Sequence, residues 1–151
     1  MDAKELTTQY LLEANVMQIA TIHEAMPKVV SVYCVATEDL SVIYWMSEPR
    51  RRHSHDIEID FRAAGAIAVK LDQPVIGLQF TGYASVVIND KELEDVIKRY
   101  NKKHQNIAEG LFERIKAGTN KHLIYKIALE TLELFDGVNF VDGDPIAISL
   151  E

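Results

Sequence analysis

The chain has 151 residues, 48% apolar and 26% charged, a balance that supports one compact domain and excludes a disordered chain. Its 16 basic and 23 acidic residues leave a formal charge of -7. No global field therefore draws it to nucleic acid or anionic lipid, and any anion site must be a local exception.

The longest stretch without charged side chains, 73–89, is broken by Pro74, Gly77 and Gly82 and is no membrane span. The first thirteen residues mix acidic, basic and polar side chains instead of building an apolar signal, so a cytoplasmic protein is expected. The single cysteine, Cys34, lies in an alternating apolar run and reads as a small buried hydrophobe.

Residues 2–14 predict a short helix, with Asp2 and Glu5 as its capping pair and Leu6, Tyr10 and Ala14 at helical spacing. From Val16 the period becomes two. Strands are expected near 16–23 and 28–37, joined as a hairpin through residues 23–27, followed by a third over Leu40 to Met46. The second strand is apolar on both faces and so is covered on both sides. Further strands are expected near 64–71 and 77–88.

Leu93, Val96, Ile97 and Tyr100 then mark a helix over 90–103, capped by Asn89 with Glu92. A second helix is expected over 107–117, capped by Asn106 with Glu109 and stopped at Gly118. Leu123, Tyr125, Ile127 and Leu129 alternate as a strand that resumes near Leu132, and a short apolar segment, 146–150, ends the chain. No linker or repeat divides it, so residues 1–151 form a single domain. Six or seven strands with few helices imply a mainly β fold, a small antiparallel barrel whose closure removes exposed edges.

Phosphate loops, dinucleotide fingerprints, nucleophile elbows and the H-E-x-x-H zinc motif are absent from the sequence. His53 and His55 share a side only if extended, and one such pair is a weak metal signal, so no metal is expected. The unusual feature is Ser47-Glu48-Pro49-Arg50-Arg51-Arg52-His53-Ser54-His55, a cationic, hydroxyl-rich stretch in an acidic protein. It leaves the end of the apolar strand carrying Tyr44, Trp45 and Met46. Guanidinium forks, hydroxyls and a following helix start suit a phosphate beside a planar apolar surface. The plain alternatives are a solvated turn with weak surface ion pairs, and a tryptophan that simply belongs to the core.

The order of segments carries a resemblance. Val16 to Thr21, Met26 to Val32, Leu40 to Ser47 with Arg51-Arg52-His53, Gly77 to Ala84, and a helix ending Arg99-Tyr100-Asn101-Lys102-Lys103 together resemble the pyridoxamine 5'-phosphate oxidase-like, FMN-binding split-barrel superfamily, especially its small flavin-reductase-like members. The resemblance covers about residues 5–135. It implies a six-stranded antiparallel split barrel with flanking helices, a homodimer, and FMN at the subunit interface. By the same resemblance, Val30 and Ser31 offer main-chain and hydroxyl contacts to the isoalloxazine and Tyr44, Trp45, Met46 and Ser47 form the strand beneath it. Arg50, Arg51 and Arg52 hold the phosphate, Ser47 and His53 finish the turn, and Gln79 reaches a ring edge.

The chain ends without the Arg- and His-bearing substrate motif of the true oxidases, so vitamin B6 is not the expected substrate. The expectation is an FMN-dependent oxidoreductase acting on a small redox substrate, with a reduced nicotinamide as one donor and no catalytic acid or base to name. The alternative is a flavin- or haem-binding sensory module without turnover, with His53, His55 or His122 as haem ligands. A structural dimer that has lost the cofactor is a third reading.

Overall fold

A computed structural model describes residues 1–151. α1 (Ala3–Glu13) starts on a closed capping box, in which Asp2 accepts the Glu5 N–H and Glu5 accepts the Asp2 N–H, each at 2.8 Å. β1 (Val16–His23) and β2 (Met26–Ala36) follow as a hairpin, and β3 (Val42–Ser47) turns back along β2. α2 (Arg52–Ile59), β4 (Arg62–Lys70), β5 (Ile76–Val86), α3 (Asp90–Lys103), α4 (Leu111–Ala117), β6 (Leu123–Asp136) and the two-residue β7 (Ile146–Ala147) complete the order.

The strands run β3-β2-β1-β4-β5-β6, and β6 pairs back onto β3 from Val42↔Ala128 to Ser47↔Leu123. Every pairing is antiparallel, and six strands close the barrel. β7 lengthens only the far end of β6.

Alternation sorts the side chains. Met17, Ile19, Ile43, Trp45, Ile67, Leu78, Phe80, Tyr125, Ile127 and Leu132 belong to the main core cluster, with Leu11 of α1 packed into it. A second cluster lies outside the wall, where Val35, Tyr44 and Ile124 meet Leu93, Val96, Ile97 and Tyr100 of α3. Gly82 is required where β5 and β6 shift register: a Cβ there would sit 2.1 Å from the Ala128 carbonyl oxygen. One continuous β6 thus replaces the two segments expected, with the register shift letting it bend.

Other boundaries move for local reasons. The first hairpin turn is only Glu24-Ala25, both at positive φ (49° and 64°), so Met26 and Pro27 belong to the strand. The helix expected from residue 107 begins at Leu111. Gln105 and Asn106 have φ of 55° and 60°, which a helix start excludes, and Gly110 occupies the cap position without a side-chain bond.

Candidate functional site: the split and the β3–α2 turn

β2 pairs with β1 along Met26 to Tyr33 but with β3 only through Cys34, Val35 and Ala36. Beyond Cys34↔Trp45 the two strands part, and this is the split in the barrel. The Cys34 N–H donates to the Asn15 carbonyl at 3.0 Å. Because main-chain groups in an antiparallel strand alternate sides, those of Val29, Ser31 and Tyr33 then face away from β1 into the split. The Tyr33 carbonyl is taken by the Tyr100 hydroxyl at 2.6 Å. The groove holds about 410 Å³ and is lined by Val16, Ser31, Val32, Tyr33, Met46 and Tyr100. Five of the six are apolar or aromatic, a surface suited to a planar ring.

β3 runs from this groove into the cationic turn, where the three arginines differ. Arg50 Nε lies 2.5 Å and Arg51 Nε 3.4 Å from the same Glu48 oxygen, and both guanidinium groups are open to solvent. The hydrogen bond from Arg50 holds the Glu48 carboxyl below its usual range. Arg52 turns inward to Asp56 and Thr21. Asp56, 2% exposed, also accepts from Thr21 Oγ1 at 2.8 Å and bonds His23 Nδ1 at 2.7 Å. This four-residue cluster pins α2 across the open end of the barrel.

The start of α2 leaves donors unused. Arg51 N–H donates to the Glu48 carbonyl, and the N–H groups of Ser54 and His55 donate to Arg51, while those of Arg52 and His53 find no acceptor in the chain. His53 is buried and its Nε2 lies 2.7 Å from Ser47 Oγ. Burial, and then the charge of Arg52, push the imidazole below its ordinary pKa. It is therefore a neutral ring at neutral pH.

Several expected site residues stand elsewhere. Trp45 is 1% exposed, points into the barrel and stacks on Tyr125 with centroids 5.7 Å apart. Its side chain is core and not a cofactor platform. Tyr44 lies under α3, where burial raises its hydroxyl pKa to about 12. Of the strand Tyr44 to Ser47, only Met46 lines the groove. Val30 directs its main chain to Ile19 of β1, so its expected main-chain contact is not offered. Arg52 is committed to Asp56 and is no free phosphate ligand.

Gln79 is exposed, but the register Ser31↔Gln18↔Ala66↔Gln79 puts it three strands from Ser31, about 14 Å at ordinary strand spacing. Within one chain it does not join the groove. His53 and His55 sit on a helix and so do not share a side; His55 is exposed, and His122 lies 3.9 Å from Glu48. Cys34 is buried, with its thiol pushed up to about 11 by desolvation.

Sequence reasoning missed Tyr33 and His104. The His104 ring packs 5.1 Å from Tyr33 and 5.2 Å from Tyr100, and its Nε2 lies 2.9 Å from the Cys34 carbonyl oxygen. Contacts across some seventy residues leave no periodic trace. The one available signal was Tyr33 as a large aromatic on the same strand face as Ser31.

No family model and no curated protein sequence matches the chain. Solved structures do. A candidate pyridoxamine 5'-phosphate oxidase from Listeria innocua superposes with a TM-score of 0.69 at 11% identity, over 88% of this chain and 98% of that one. The haem storage protein HutZ from Vibrio cholerae gives 0.68 at 19% identity, over 87% and 94%. A haem-binding protein from Mycobacterium smegmatis gives 0.73 at 14% identity over 99% of this chain, which spans 60% of that longer protein. These likenesses agree with the closed six-stranded sheet and the parting of β2 from β3: the chain has the split-barrel fold.

Proposed function

We propose that the chain is an FMN-binding oxidoreductase that works as a homodimer, with the flavin ring in the split and its phosphate at the β3–α2 turn. The observation that carries this reading is the continuity of the two parts along one strand. An apolar groove with unpaired main-chain groups ends at Met46, and four to seven residues later come two solvent-facing arginines, Arg50 and Arg51, and the two unused helix N–H groups of Arg52 and His53. The donor set fits a phosphorylated planar cofactor: guanidinium and helix N–H groups for the phosphate, the Ser31 edge for the ring's polar rim. FMN supplies hydride and electron transfer, for which no side chain here substitutes.

The chain's own residues bind and orient. Arg50 and Arg51 exchange Glu48 for phosphate, α2 adds its dipole, and Met46, Val32 and Tyr33 exclude water from the ring face. Asp56 holds Arg52 and through it the helix start. The dimer surface of this reading is the outer face of β1, β4 and β5, where Gln18, Ala66, Gln79 and Thr81 present small or polar side chains beside the exposed ring of Tyr83. The likeness to two haem proteins supports the other reading, a haem-binding module without turnover.

One experiment separates them: absorbance of the purified protein before and after FMN loading and desalting. Retained flavin bands that are then bleached by a reduced nicotinamide support the oxidoreductase, and a Soret band moves the assignment to haem. Changing both Arg50 and Arg51 to Ala should weaken FMN binding about tenfold, about 1.4 kcal/mol, a modest loss because both are exposed and already paired. An unchanged affinity by fluorescence titration removes the phosphate site from this turn.

A further inference from the structure

The β3–α2 turn brings its own anion. Glu48 Oε2 lies 2.5 Å from Arg50 Nε and 3.4 Å from Arg51 Nε, and Glu48 Oε1 lies 3.9 Å from His122 Nε2. No other carboxylate of the chain pairs with two arginines. The Glu48 side chain is 14% exposed against 75% and 56% for Arg50 and Arg51, so the acid sits behind the two cations that face solvent.

The main chain fixes its position. The Glu48 carbonyl accepts from the Arg51 N–H at 3.1 Å and from Ser54 Oγ at 2.9 Å, which ties the residue to the first turn of α2. The hydrogen bond from Arg50, and then the charges of Arg50, Arg51 and His122, hold its carboxyl below the usual range. It is therefore an anion at neutral pH.

Charge decides the consequence. Of the three guanidinium charges in the turn, Glu48 and Asp56 cancel two before any ligand arrives. The remaining acid of α2, Glu58, is 71% exposed and faces His55 at 3.9 Å. A phosphate drawn to Arg50 and Arg51 brings about two negative charges and meets the Glu48 carboxylate as a rival for the same donors. The N–H groups of Arg52 and His53 are the donors that no acid of the turn engages.

We propose that Glu48 is the specificity-determining residue of this site: an internal rival anion that sets how far the site favours a phosphorylated flavin over an unphosphorylated one. This role rests on the reading of the turn as the phosphate site. With Glu48 in place the phosphate adds little, and contacts to the ring in the groove carry most of the affinity. Without its charge the guanidinium pair is released to the phosphate.

Glu48→Gln is the discriminating variant, because the amide keeps an oxygen for the Arg50 Nε–H and removes only the charge. Inorganic phosphate is titrated first, on the full chain without flavin, and followed by the amide NMR signals of Arg52 and His53. Its midpoint should fall about fivefold in Glu48→Gln at low salt, and the gain should shrink as salt screens the site. FMN, followed by fluorescence, should tighten by a similar factor, while riboflavin, with the same ring and no phosphate, should bind parent and variant equally. The gain should vanish when Arg50 and Arg51 are both changed to Ala, the mark of a direct coupling and not of a general rearrangement. A phosphate midpoint that is unchanged or raised in Glu48→Gln overturns the proposal, as does equal tightening of FMN and riboflavin, or no phosphate response in either protein. If the midpoint falls as expected while neither flavin binds, the flavin reading falls alone and Glu48 keeps its role as the rival anion of a phosphate site.

Discussion

Where β3 meets β6, the outward residues Val42, Tyr44, Met46 and Ile124 are large and α3 lies over them. On the β1, β4 and β5 side, the outward residues Gln18, Ala20, Ala64, Ala66, Gln79 and Thr81 are small or polar and no helix covers them. The same alternation thus produces a wall that seats a helix and a wall that is left flat. A flat sheet of short side chains offers little area to a helix but lets another sheet or a planar ligand approach closely. The functional proposal puts its dimer surface on this bare wall.

The sharpest break of that comparison is to place a charge on each wall. Val96 is 0% exposed between α3 and the sheet, so Val96→Asp buries an unpaired carboxylate and should cost about 4 kcal/mol, enough to unfold much of the protein. Thermal melts by circular dichroism check it. Ala66→Arg on the bare wall should leave monomer stability within about 0.5 kcal/mol yet convert the dimer to monomer in sedimentation. A dimer that tolerates Ala66→Arg moves the interface elsewhere.

The two ends of the barrel differ as well. The α1 end is closed mainly by apolar packing from Leu11, whereas the α2 end is closed by the polar cluster around Asp56. Asp56→Asn leaves Arg52 without its counter-charge and should cost about 3 kcal/mol. Burial raises the Asp56 pKa, but the hydrogen bonds from His23 and Thr21 and the charge of Arg52 outweigh it and leave it depressed. A depressed carboxylate contributes stability that is present above its unfolded value and is lost as pH falls through the folded one. Urea midpoints of the parent and of Asp56→Asn should therefore differ from neutral pH down to about pH 4 and converge below it. Parallel curves down to pH 2 show that Asp56 carries no charge-dependent stability.

This polar end is also where the sequence was hardest to read. β1 and α3 have the expected bounds, because an alternating run and a capped apolar stripe are local signals. α2 was foreseen only as a helix start. Four of its eight residues are buried, and three of these are His53, Ser54 and Asp56, so a search for apolar periodicity sees nothing. The cationic turn was legible as a cluster, but which arginine stays free was not, since that depends on Asp56 and Thr21 arriving from different elements. Trp45 belonged to the inward register all along. Its parity with Ile43 was visible in the sequence, and only the barrel's closure shows which parity faces inward.

The smallest effect concerns the hairpin that bears His23. Its two-residue turn, Glu24-Ala25, holds both residues at positive φ, the backbone of a type I′ turn that asparagine and glycine adopt without strain. Neither native residue favours that region, and each costs about 1 kcal/mol there. Glu24→Asn together with Ala25→Gly should raise stability by about 1 kcal/mol, the relief of strain being partly offset by the greater freedom of glycine in the unfolded chain. The gain should appear without any change in FMN affinity, because the turn lies at the α2 end beyond the Thr21↔Lys28 pair and touches neither the groove nor Arg50 and Arg51. A variant that gains stability but binds FMN less well shows instead that the strained hairpin positions His23 and Asp56 for the helix start, tying the α2 end to the site.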